Sequence, residues 1–168
     1  MVVAVIGLPG SGKTFLAKHL AWNIDGVHVS SDRVRTALEQ RGKYDEQTKL
    51  EVYQSMLGLA EAAVKDRKHV VLDATFHKAQ TRALFVETAT KFKVPLYFIE
   101  IQASEEVIKE RIAKKRVDSE ADFSIYKKIK AAFEPLKEKH LILHSDQMDS
   151  EEMVSRALNY CKYENEKK

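Results

Sequence analysis

The octapeptide Gly7-Leu8-Pro9-Gly10-Ser11-Gly12-Lys13-Thr14 satisfies the pattern G-x-x-x-x-G-K-[ST] in full. A β-branched run, residues 2–6, leads into it, and the helical spacing of Phe15, Leu16, Leu20 and Ala21 leads out. This strand, loop and helix leave the chain few folds to choose from. Glycines let the backbone curl until successive N–H groups point at one anion, where a Cβ would obstruct the approach. The helix that follows adds the positive end of its dipole. Gly7, Pro9, Gly10, Ser11, Gly12, Lys13 and Thr14 are therefore expected to cradle the phosphates of ATP. Lys13 would reach the β- and γ-phosphates, and the Thr14 hydroxyl would ligate Mg²⁺.

The rest of the chain repeats the alternation. Runs at 2–6, 27–30, 69–73, 96–101 and 140–144 read as five strands, with amphipathic helical spacing between them. Strands alternating with helices predict an α/β fold, a mostly parallel sheet sandwiched by helices. The crossovers then gather the loops after the strand ends along one edge, where ligands of open α/β sheets bind. At 168 residues the chain is one domain, expected over 1–161. A segment at about 110–125 is read as a lid, and 162–168 as a polar tail that frays. A lone cysteine, Cys161, reads as a packing residue and excludes an internal disulfide. With no apolar run of membrane-spanning length and no signal-peptide pattern, the expected setting is cytoplasmic, without membrane partners.

Candidate residues sit at the strand ends. The second run closes in Ser30-Ser31-Asp32-Arg33-Val34-Arg35. Asp32 there can take a proton from an acceptor hydroxyl, or can serve only as a helix cap, and Arg35 shares its helical face. The third run ends in Asp73, which either orders the metal beside the nucleotide or caps the next helix. Thr75 and His77 follow at the same edge and are read as acceptor contacts. Residues 109–116 hold five cations, Lys109, Arg111, Lys114, Lys115 and Arg116, against one acid, Glu110. That stretch fits a lid closing positive charge over a triphosphate, and equally a solvated helix face.

Taken together, these motifs, with Gln80, Arg82 and the run Phe133-Glu134-Pro135-Leu136, resemble the P-loop kinases grouped with polynucleotide 5′-hydroxyl kinases and zeta toxins. The similarity covers about 2–144. It implies a P-loop NTPase fold with a five-stranded parallel sheet of order 2-3-1-4-5, ATP as donor and a mobile lid. It also implies Asp32 as general base, Arg35 on an acceptor phosphate, Asp73 near the acceptor and Arg111 as a catalytic lid cation. Where the family often carries a second lid arginine this chain has Lys115, with Arg116 next to it, so the lid contact is one or the other.

The expected function is transfer of the γ-phosphoryl group of ATP to a hydroxyl, on a nucleic acid 5′ end or a small alcohol. The competing reading is a nucleotide-dependent switch that hydrolyses ATP slowly. For a nucleic acid acceptor, Lys127, Lys128 and Lys130 are the expected phosphate contacts, and no aromatic platform is evident. Trp22 and Tyr53 read as core residues, and Ser145-Asp146-Gln147 as adenine contacts or a helix cap.

Overall fold

Strand β1 (Val2–Ile6) is buried along its whole length, because its side chains alternate between two cores. Val2, Ala4 and Ile6 face a cluster built on Val52, Tyr53, Met56 and Phe85. Val3 and Val5 face Leu16, Leu20, Met153 and Ala157. The computed structural model describes residues 1–114 and 122–166, the last five by backbone alone. Around β1 the sheet runs β2 (Val27–Ser30), β3 (Val70–Ala74), β1, β4 (Leu96–Gln102), β5 (His140–His144), all parallel. This is the expected order, 2-3-1-4-5. Helices α1 (Lys13–Asn23) and α7 (Ser150–Glu166) cover one face, and α3 (Glu46–Lys65) and α4 (Ala79–Lys91) the other. Three shorter helices, α2 (Ser31–Ala37), α5 (Glu105–Ala113) and α6 (Phe123–Ala131), stand near the strand ends.

Three details differ from the sequence reading. Strand β3 ends at Ala74, so Asp73 lies inside the ladder, opposite Ser30 of β2 and Val5 of β1. Trp22 is not a core residue: it is 87% exposed. The buried stripe of α1 is Leu16, Ala17, Leu20 and Ala21, and residues 15, 18 and 22 fall on the opposite side of a 3.6-residue helix. The backbone of α7 stays helical to Glu166, past the expected start of fraying at 162, since propagating a formed helix costs little per residue. Cys161 packs as expected, and burial pushes its thiol up to about 12.

Candidate active site

The loop after β1 turns through Gly10 and Gly12, whose φ values are 80° and 97°. At Gly12, the residue before α1, that left-handed backbone favours glycine. Gly7 is required for a second reason: a Cβ there would fall 2.7 Å from the Ile101 carbonyl oxygen. No side chain caps α1, and its first turn holds no acid. The start of α1, lined by Lys13 and Thr14 at the cavity, is thus left without an intramolecular anion, as a phosphate site requires. Buried Ser11 Oγ has no hydrogen-bond partner among the described residues.

Arg111 acts on the other side of this loop. Its guanidinium donates to the carbonyls of Gly10 and Ser11 at 3.3 and 3.4 Å, to Ser145 Oγ at 2.8 Å and to the Ser145 carbonyl at 3.0 Å. Ser145 Oγ donates in turn to the Ser11 carbonyl at 2.5 Å. These bonds fix the Gly10 and Ser11 carbonyls on the Arg111 side of the loop. Asp146 accepts from the Ser104 backbone N–H at 2.8 Å, a bond that holds its carboxyl below the usual range and ties the start of α5 to the loop after β5. Capping of α7 belongs to Asp149, which accepts from Glu152 N–H at 2.8 Å. Lys115 and Arg116 lie outside the described residues.

A cavity of about 560 Å³ opens beside the P-loop, where Lys13 and Thr14 line one wall and Asp32 and Arg35 another. Asp32 stands in the first turn of α2, half-buried, and the capping position belongs to Ser30. Arg35 is 9% exposed. One of its Nη groups donates to the Lys43 carbonyl at 2.6 Å, and its Cζ lies 4.7 Å from the centre of the Tyr44 ring. Its Nε is buried with no hydrogen-bond partner among the described residues. An arginine held on two sides in the cavity lining is preorganised for an anion.

Asp73 is 1% exposed. One carboxylate oxygen lies 3.3 Å from His28 Nε2, and the other, Oδ1, is buried without a partner among the described residues. Sequence reasoning passed over His28. It stands two residues before Ser30 on β2, on the same face, and β2–β3 pairing sets Ser30 against Asp73. Thr75 and His77 both line the cavity, with Thr75 Oγ1 3.5 Å from His77 Nδ1. Burial, then Lys49 and Lys78, push the His77 pKa down. Tyr53 lines the cavity as well as the core; its hydroxyl accepts from Phe76 N–H at 3.1 Å, where Phe76 has φ 47°. Beneath this loop lies Arg82, 0% exposed, donating to the carbonyls of Phe76, Glu134 and Pro135 at 2.9, 3.1 and 3.1 Å. That bonding gives the Phe133–Leu136 run its structural role. From α6 the cavity receives Ile125 and Ile129, whereas Lys130 pairs with Glu105 at 2.5 Å and Lys127 lies over the Phe123 ring.

The profile of the family described as AAA domain matches residues 2–136, most of the chain. The chain belongs to that family. This AAA domain is also similar to the bifunctional polynucleotide phosphatase/kinase of Schizosaccharomyces pombe, at 26% identity over 106 residues. The matched stretch is 63% of this chain and spans only 22% of that protein. Among solved structures, a sugar kinase from a Janibacter species superposes with TM-score 0.74 at 21% identity, covering 96% of this chain and 94% of that one. The APS kinase CysC of Mycobacterium tuberculosis, solved with AMPPNP and APS, gives TM-score 0.73 at 18% identity, with 96% of each chain covered. At these identities the structural likeness establishes the P-loop kinase fold. Among the described residues no helix is long and apolar enough to cross a membrane.

Proposed function

We propose that this protein is a kinase that moves the γ-phosphoryl group of ATP to an acceptor hydroxyl. The observation that carries the reading is a carboxylate and a buried arginine, Asp32 and Arg35, lining the same cavity as Lys13 and Thr14. The uncapped start of α1 receives the phosphates, and Lys13 balances the charge that develops on the transferred group. Arg35 grips an anionic group of the acceptor. As the acceptor oxygen forms its bond to the γ-phosphorus, Asp32 takes the hydroxyl proton, and the bond to the β-phosphate oxygen breaks to release ADP.

The donor set fits Mg²⁺. Asp73 keeps an unpartnered buried oxygen, Thr14 supplies a hydroxyl, and hard oxygen donors suit this ion. Thr14 and Asp73 would hold it together with the nucleotide, and the ion when bound neutralises phosphate charge.

For the acceptor we propose a polynucleotide 5′-hydroxyl end. Arg35 in the cavity lining supports this, since a guanidinium suits the phosphate beside a reacting 5′ hydroxyl, as does the polynucleotide kinase relative. The test is an acceptor screen with γ-labelled ATP, comparing 5′-hydroxyl oligonucleotides with neutral small alcohols. Label on the oligonucleotide is expected; label on a small alcohol alone would overturn the polynucleotide acceptor and leave the kinase standing.

A further inference from the structure

We infer that the outward face of α1 is a stacking track for a single-stranded nucleic acid whose 5′ end enters the acceptor cavity. The inference rests on the polynucleotide reading above and adds where the rest of the strand runs. Trp22 stands 87% exposed and Phe15 40% exposed on the solvent side of the helix. His19 lies between them, its ring centre 4.0 Å from that of Phe15 at 31°. Its Nδ1 is 2.9 Å from the Phe15 carbonyl oxygen, a bond that fixes the ring pair. Single exposed apolar residues are ordinary on a protein surface. Here three rings repeat at i, i+4 and i+7 along one face, spanning about 10 Å, or roughly three nucleotides at a ~3.4 Å stacking repeat. The near end of the stripe belongs to the active site, since Phe15 and His19 also line the acceptor cavity.

Charge decides the occupant. Lys18 and Arg33, both exposed, line that cavity together with Lys13, Arg35 and Lys49, against one acid, Asp32. His19 also reaches a second groove, shared between α1 and α7, which contains Glu151. A polyanion is therefore drawn to the Lys18 side of the stripe, so its backbone passes Lys18 and Arg33, away from Glu151, while its bases lie over the rings. Base–aromatic stacking tolerates any sequence, because every base has a π-face. The track also takes over the role expected of the α6 lysines, two of which are engaged with Glu105 and Phe123.

Trp22 is the only tryptophan in the chain, so its fluorescence reports the track directly. The experiment titrates a 5′-hydroxyl 12-mer and a dinucleotide into the protein at low salt, then compares their phosphorylation in the native protein and in Trp22→Ala. Saturable quenching by the 12-mer is expected, weakening as salt rises. In Trp22→Ala, kcat/KM for the 12-mer relative to the dinucleotide should fall about tenfold, within the range for one lost stacked base. Phosphorylation of the 12-mer without quenching, or an unchanged ratio, overturns the track and leaves the polynucleotide acceptor intact. If the protein binds ATP but phosphorylates neither oligonucleotide, the polynucleotide acceptor fails and the track with it. A native dimer that becomes monomeric in Trp22→Ala on sedimentation assigns the face to a second copy of the chain and likewise overturns the proposal.

Discussion

Lys13, Arg35 and His77 line one cavity, yet each is held differently, so their substitutions should separate. On the proposed mechanism, removing the Lys13 ammonium takes away a charge that matters most in the transition state. Lys13→Ala should lower turnover by about 10²–10³ with an unchanged melting profile. Arg35 is clamped between the Lys43 carbonyl and the Tyr44 ring, and a lysine cannot keep both contacts and still present a donor. Arg35→Lys should raise the acceptor KM about tenfold or more, as expected for a lost charge-assisted bond, and leave ATP affinity alone by calorimetry. His77, its pKa lowered from 6.5 mainly by burial, binds its proton less readily folded than unfolded. Its stabilising contribution is therefore complete above about pH 6.5 and lost as pH falls through the lower folded value. Urea midpoints should be flat above pH 7 and decline below 6.5. His77→Gln should flatten part of that decline and not all of it, since burial lowers the His69 pKa too.

Among the elements, the β3–α4 connection depends most on one buried side chain. Arg82 satisfies three carbonyls drawn from two segments far apart in sequence, and Glu138 lies 3.5 Å from its Nε. Arg82→Met would leave those carbonyls buried without donors. It should destabilise the fold by about 3 kcal/mol, read from the denaturation midpoint, with the position of Thr75 and His77 disturbed. The P-loop, the five strands and their order were legible because each rests on a local pattern or on a resemblance that fixes topology. Contacts depending on register or on a loop folding back were not. His28 meets Asp73 through the β2–β3 pairing, which nothing in either strand alone encodes. Arg35 is set by Lys43 and Tyr44, in the connection after α2, where the sequence shows only a loop. Trp22 was misread because α1 carries apolar residues at 15, 16, 17, 20, 21 and 22, a band wider than the surface the helix buries. Arg111 was expected over the triphosphate, and in the structure its bonds run to the carbonyl side of the P-loop.

On the scale of the molecule, parallel β1, β2 and β3 deliver the P-loop, Asp32 and residues 75–77 to one sheet edge, so the groups proposed to serve donor and acceptor meet in a single cavity. On the proposed reading, that convergence is what separates a phosphotransferase from a nucleotide switch, which needs a positioned water and has no use for an acceptor clamp. The most direct measurement follows γ-labelled phosphate from ATP in the native protein and in Asp32→Asn, scoring acceptor-bound label against free inorganic phosphate. The native protein should place label on the acceptor, and Asp32→Asn should bind ATP with native affinity while transfer drops by about 10²–10⁴. Label released only as inorganic phosphate whatever hydroxyl is offered, or transfer undiminished in Asp32→Asn, would contradict the account.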